Sequence, residues 1–319
     1  MGGYKMTKSA KVGSVICDEL ITAANQDHNI LALTSDSRGS ASLTPFATQL
    51  PDQLVEMGIA EQNSVTVGAG LAHSGKRPFV FSPAAFLTMR SIEQVKVDVT
   101  YSDTNVKLIG ISGGNSYSVL GNTHHSLQDL AITRALPNLE VYMPADEYQT
   151  RGLMQYLAKS DHPAYVRIGK QALPDIYENQ QQAFRGPGKA NIVMDNGNDV
   201  ALVAAGETVQ IAVRTARKLA EQGVQAKVID LVSVKPLDRA LLNQVADQVN
   251  LITTIEEHSI YGGLGSAVAE ELAIRGDTRV DIAGFPDEPA IAGTQAEVFA
   301  HYGLDEQSLT KRIMANLNQ

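Results

Sequence analysis

Residues 106–112 read VKLIGIS and run directly into GGNSYSVLGN at 113–122. A short apolar run closed by glycine and polar residues has the length and composition of a buried strand entering a loop. The segments on either side repeat the theme. Upstream, 29–34 (NILALT) and 78–82 read as strands. Between them, 60–74 is a small-residue stretch suited to a closely packed helix, and 91–101 (SIEQVKVDVTY) is helix-like with a β-branched end. Downstream, 127–135 predicts a helix, 139–143 a strand, 147–160 a helix and 164–168 a strand. Strand–helix alternation of this kind predicts a parallel α/β sheet. Ligand loops in such sheets lie beyond the carboxyl ends of the strands.

The stretch 171–190 (QALPDIYENQQQAFRGPGKA) breaks the pattern and reads as a linker. A second α/β series follows. Strands are expected at 199–205, 225–231, 251–256 and 279–284. Helices are expected at 208–223, 238–249 and 266–275, with a last one from about 305. The expected fold class is therefore α/β, with two parallel or mixed-sheet domains. The first spans 1–185, its linker starting at about 171, and the second spans 190–319. A length of 319 residues fits two domains at roughly 150 residues each.

Composition narrows the function classes. The chain is 44% hydrophobic and 19% charged, with 26 Lys+Arg against 35 Asp+Glu and a net charge of −9. No basic cluster stands out, which disfavours a nucleic-acid or anionic-membrane surface. The one cysteine, Cys17, rules out an internal disulfide framework and suits a reducing cytoplasm. No apolar run approaches a membrane span, and the N-terminal MGGYKMTKSAKVGS lacks the apolar core of a signal peptide. The seven histidines show no metal-ligand spacing.

Six places carry chemistry-bearing residues. Glu61, in MGIAEQN at 57–63, opens the small-residue helix. It is either a charge favoured by the helix dipole or a buried carboxylate awaiting a donor. His124 and His125 lie side by side in GNTHHS, so at most one faces a given ligand. They read either as a proton-shuttling histidine or as helix-cap and surface groups. Asp36, Arg38 and Ser40 share SDSRGS at 35–40, which is a plain turn or an anion loop. Phe79 and Phe81 alternate as core residues, whereas Phe86 follows SPAA and presents a ring suited to a flat cofactor. Arg167, ending YVR, is a strand-end cation and an anion-site candidate. The turn GGLGS at 262–266 opens a helix without the P-loop lysine, and reads as tight packing.

Taken together, GIAEQN with AGLA, the loop GNTHHSLQDLAITRALPNLEV, and ETVQIA…DLVSVKPLD…TIEEHSIYGGLGSAVAEEL resemble the C-terminal half of transketolase. They are also similar to deoxyxylulose-phosphate synthase and to the β subunits of 2-oxoacid dehydrogenases. The resemblance runs over residues 10–315. It implies a pyrimidine-binding domain for thiamine diphosphate followed by the transketolase C-terminal domain. It implies that Glu61 hydrogen-bonds the aminopyrimidine ring nitrogen, that Phe86 stacks on that ring and that Asp36 lies next to the cofactor. His124 matches a histidine that contacts substrate oxygens, and Ser40 and Arg167 match substrate-phosphate positions.

The family holds Mg²⁺ and the diphosphate with a GDG motif in its N-terminal half, and this chain has no GDG. The resemblance thus implies a split enzyme. An N-terminal partner subunit supplies GDG and Mg²⁺, and the expected assembly is α2β2. The implied activity is transfer of a two-carbon ketol unit from a ketose to an aldose phosphate. Two departures concern the substrate. Leu120 stands where common transketolases have an aspartate, and Ser112 where they have a phosphate-binding histidine. With Arg38 offered as a replacement cation, an unusual anionic ketose is expected, such as an apulose-type phosphate or a sulfo-sugar. The alternatives are a 2-oxoacid dehydrogenase β subunit and a non-catalytic scaffold half.

Overall fold

The computed structural model describes residues 9–318. Residues 1–8, part of the N-terminal stretch read for a targeting signal, lie outside them. Seven strands form the first sheet, in the order Ser233–Lys235, Glu140–Tyr142, Ala164–Arg167, Lys107–Ile111, Arg77–Pro83, Ile30–Thr34 and Leu54–Glu56. All neighbours are parallel except Ser233–Lys235, which pairs antiparallel with Glu140–Tyr142. Every residue of Ile30–Thr34, Lys107–Ile111 and Ala164–Arg167 is buried, as expected of strands covered on both faces.

The second sheet runs Arg279–Phe285, Leu251–Ser259, Val200–Ala204, Ala226–Asp230 and Asn191–Asp195, with the last strand antiparallel. Both sheets are of the α/β kind that the alternation predicts. One apolar cluster unites them: Leu31, Val80 and Leu108 of the first sheet belong to the same core as Val203, Ile229 and Ile252 of the second.

Several stretches differ from expectation. Residues 91–101 do not form one α-helix. A short α-turn, Ile92–Gln94, lies between wide π-helical segments at Phe86–Arg90 and Val95–Tyr101. Val95, Val97, Val99 and Thr100 are β-branched and crowd an α spiral. Ser102 and Thr104 accordingly donate to the carbonyls five residues back, at Val97 and Val99. The stretch 171–190 is ordered rather than a loose connector. Ala172–Pro174 pairs with Ser9–Lys11, and Asp146 Oδ2 accepts from the N–H groups of Ile176 and Tyr177, both at 2.8 Å. Finally, helices Val12–Gln26 and Gln295–His301 add to the expected set. Among the described residues no helix is long and apolar enough to cross a membrane.

Candidate active site

Parallel strands bring their carboxyl ends to one side of the first sheet. The loops after Ile30–Thr34, Arg77–Pro83, Lys107–Ile111 and Ala164–Arg167 all leave from that side. They carry Asp36, Phe86, His124 and Lys170. Helix Glu61–His73 begins nearby, its start tied to the first loop by the 2.8 Å bond between Ser35 Oγ and Ser64 Oγ.

Glu61 is 3% exposed and sits in the first turn of its helix. A buried carboxylate needs a partner. Arg90 supplies it, donating from Nη1 to Glu61 Oε2 at 2.7 Å. The same guanidinium lies 4.4 Å from the centroid of the Phe86 ring. Phe86 meets His124 edge-on at 5.3 Å, and His124 meets Tyr117 edge-on at 5.7 Å. The Lys170 ammonium stands 5.5 Å from the Tyr117 centroid. A continuous chain therefore runs from Glu61 through Arg90, Phe86, His124 and Tyr117 to Lys170. The structure brings Glu61, Phe86 and His124 together from separate segments.

The adjacent histidines separate cleanly. His125 is buried and its Nε2–H donates to the Ser118 carbonyl at 2.9 Å, which ties the loop to itself. His124 is half-buried, with Nδ1 3.0 Å from Thr123 Oγ1. That contact orients the ring, and its Nε2 has no hydrogen-bond partner among the described residues.

Asp36, Arg38 and Ser40 are exposed. The Asp36 N–H donates to Glu56 Oε1 at 2.7 Å, fixing a left-handed turn at φ 51°. No described hydrogen bond or ion pair joins these three side chains to the Glu61 chain. Arg167 is not among that group either. It is 3% exposed, with Nε 3.5 Å from Asp129 Oδ2, and Nη2 2.5 Å from the Glu257 carbonyl and 3.7 Å from its carboxylate. An external anion would have to displace two carboxylates to reach it. Lys170, three residues on, is the exposed cation of this turn. Gly113 and Gly114 let Arg167 pass, since a Cβ at either would collide with its side chain.

Arg167 anchors a buried joint between the two sheets. Gln295 Nε2 donates to Glu207 Oε2 and to Glu257 Oε1, each at 2.8 Å. The N–H of Asn115 also donates to Glu257, at 2.9 Å. Burial pushes Glu207 and Glu257 above the ordinary glutamate range. The neighbouring Glu207 pushes Glu257 further, while Arg167 and the Gln295 amide pull both back. The turn GGLGS holds not a phosphate but Glu256, whose oxygens accept from the Leu264 and Gly265 N–H groups at 2.7 and 3.1 Å. Burial still lifts Glu256 to about 7. His258 is pushed down to about 4 by burial. Its Nδ1–H donates to the Ser259 carbonyl and its Nε2 accepts from the Ala131 N–H, a neutral structural ring.

The raised carboxyls have a pH consequence. As pH rises past 4.5 the unfolded chain ionises such a group while the folded chain keeps its proton. The stability it contributes is present below that value and is lost as pH climbs through the raised one. Glu257→Gln is thus expected to gain on wild type as pH rises from about 4.5 to about 8. Thermal melts of both proteins across that range check it; a constant gap would show that Glu257 is not held protonated.

Arg90, Tyr117 and Lys170 escape a reading of the sequence alone. Lys170 left one signal, a lysine in the turn directly after the strand ending at Arg167. Tyr117 left another, an aromatic inside a glycine-rich loop.

Comparison with known proteins identifies the family. The transketolase pyrimidine-binding domain matches residues 8–175, and the transketolase C-terminal domain matches residues 188–309. The chain is 48% identical over 294 residues to one of the subunits of the apulose-4-phosphate transketolase of Phocaeicola vulgatus, covering 92% of this chain and 93% of that one. It is 36% identical over 254 residues to a 6-deoxy-6-sulfo-D-fructose transketolase subunit of a Clostridium species, covering 79% and 78%. A solved split-gene transketolase, an inactive β4 tetramer, superposes with a TM-score of 0.88 at 32% identity, over 98% of this chain and 99% of that one. These relatives favour transketolase over a 2-oxoacid dehydrogenase β subunit.

The residues present fit one end of thiamine diphosphate. A buried carboxylate and a half-exposed ring suit an aminopyrimidine, which needs an acceptor in its plane and a partner for its face. The chain belongs to the transketolase family, as the C-terminal subunit of a split, thiamine-diphosphate-dependent enzyme that works through a partner subunit.

Proposed function

We propose that this subunit, joined in an α2β2 assembly to an N-terminal subunit bearing GDG, transfers a two-carbon ketol unit from an anionic ketose to an aldose phosphate. The observation that carries the reading is the convergence of Glu61, Phe86 and His124. Residues 1–185 then serve the pyrimidine end of the cofactor, and 190–319 form the C-terminal domain. Mg²⁺ and the diphosphate belong to the partner. The buried single cysteine suits a cytoplasmic enzyme.

When bound, thiamine diphosphate supplies the electron sink for breaking the ketose C2–C3 bond. The chain's own residues orient and move protons. Glu61 holds the aminopyrimidine ring nitrogen, and Phe86 offers its face. His124, aimed by Thr123, has a ring nitrogen to bind a substrate oxygen and pass a proton. Lys170 takes the anionic end of the ketose; Arg38 and Ser40, on the loop that follows Ile30–Thr34, add polar groups from beyond two intervening strands, and Asp36 lies beside the cofactor. Val119 and Leu120 are exposed and apolar next to this cluster. They make no polar contact with a sugar hydroxyl, which supports a substrate unlike the common pentose phosphates. The relatives' apulose 4-phosphate and 6-deoxy-6-sulfofructose are the first two to try.

Calorimetry tests the assembly. Thiamine diphosphate with Mg²⁺ is titrated into this subunit alone and into its mixture with the GDG-bearing subunit. Binding only in the mixture is expected; tight binding by this chain alone would overturn the shared site. The anion contact has its own check. Lys170→Ala and Arg38→Ala are expected to raise KM for a ketose phosphate by about tenfold, the worth of one hydrogen bond to a charged group, and to spare a neutral ketose. Equal effects on both substrates would remove that residue from the anion site.

A further inference from the structure

Arg90 makes two contacts at once. Its Nη1 donates to Glu61 Oε2 at 2.7 Å, and its guanidinium carbon lies over the Phe86 ring, 4.4 Å from the centroid. A flat, nitrogen-rich group that donates from its edge and stacks with its face meets the same two demands as an aminopyrimidine. Both would use the same carboxylate and the same ring. The partners differ in freedom: the Glu61 side chain is 4% exposed, whereas that of Arg90 is 46% exposed. Arg90 has no second carboxylate among the described residues to hold it. It ends the wide-turned segment Phe86–Arg90, and Met89 beside it is also exposed.

We propose that Arg90 is a gate on the pyrimidine site. Its guanidinium holds Glu61 and covers Phe86 in the free subunit, and it swings to solvent when the aminopyrimidine enters. The inference rests on the reading of Glu61 and Phe86 as pyrimidine contacts. Arg90 is then a positioning residue whose release is part of cofactor loading. Cofactor affinity is set by competition, because each loading event exchanges a charge-assisted hydrogen bond within the chain for one to the cofactor.

The test uses the reconstituted complex with its N-terminal subunit. Thiamine diphosphate with Mg²⁺ is titrated calorimetrically into wild type, Arg90→Leu, Arg90→Lys, Glu61→Ala and the Arg90→Leu/Glu61→Ala double variant. Arg90→Leu is expected to tighten binding about tenfold, the worth of one hydrogen bond to a charged group. Arg90→Lys should fall between, since an ammonium donates but does not stack flat. In the Glu61→Ala background the gain should vanish. A probe of the free subunit needs no turnover. Ligand-observed NMR with 4-amino-5-hydroxymethyl-2-methylpyrimidine should show stronger binding to Arg90→Leu than to wild type.

If Glu61→Ala weakens cofactor binding while Arg90→Leu leaves it unchanged or weaker, the gate is wrong and Arg90 merely supports the site. If Glu61→Ala binds the cofactor as wild type does, the pyrimidine-site reading fails and takes the gate with it. Should Arg90→Leu fail to fold in a thermal melt, Arg90→Lys decides: affinity at or below wild type overturns the proposal.

Discussion

Glu61→Gln, reassembled with the N-terminal subunit, is expected to lose about 10²–10⁴-fold in kcat, the usual worth of a group that moves a proton at the reacting centre. The substitution keeps the side chain's shape and an oxygen that still accepts from Arg90. It removes the ability to exchange a proton with the aminopyrimidine ring nitrogen. Assembly should survive, because Glu61 is buried against its own helix and Arg90 rather than at a distant surface. Steady-state kinetics on the complex, with gel filtration to show that it remains intact, makes the measurement. Full activity in Glu61→Gln would move weight to the scaffold reading.

Arg167→Met should instead unfold the joint between the sheets. Removing the cation leaves Asp129 buried without the guanidinium 3.5 Å away, and breaking a buried pair in this way costs about 3–5 kcal/mol. Asp129 keeps the Tyr165 hydroxyl, which donates to its Oδ2 at 2.7 Å, but a neutral donor does not replace the charge. A fall in the melting midpoint of roughly 10 °C is expected for a chain of this size. Lys170→Ala, exposed and three residues away, should leave the midpoint almost unchanged. If Arg167→Met kept its midpoint and raised KM for the anionic ketose, the anion-site reading of Arg167 would return and the joint would lose its anchor.

The difference between Arg167 and Lys170 marks where sequence reading runs out. Both are cations at the end of one strand, and only burial tells which one is open to solvent. Strands such as Lys107–Ile111 were legible because helices cover both faces, so Leu108–Ile111 hold no polar side chain and only Lys107 at the strand's start is charged. Asn191–Asp195 was not legible. It is an edge strand of mixed exposure whose place is set by Ala226–Asp230, not by its own pattern. Ser233–Lys235 is three residues long and has too little pattern to read. Within the site, Glu61, Phe86 and His124 stood out through their glycine and hydroxyl surroundings. Arg90 and Tyr117 did not, because their roles exist only once Phe86 and His124 are packed between them. The β-branched end of 91–101 was visible, but that it would widen the helix into π turns depended on its packing.

The short strand Ser233–Lys235 has a consequence for how the polypeptide is made. It closes the rim of a sheet whose other six members all precede residue 168. On the ribosome, N-terminal units fold first as the chain emerges. Here the early lobe waits with Glu140–Tyr142 bare until residue 235 has been released, and a bare rim recruits foreign strands. The lobes are therefore not interchangeable parcels. A fragment ended at 185 would keep its rim open for good and would be prone to stick to its own copies.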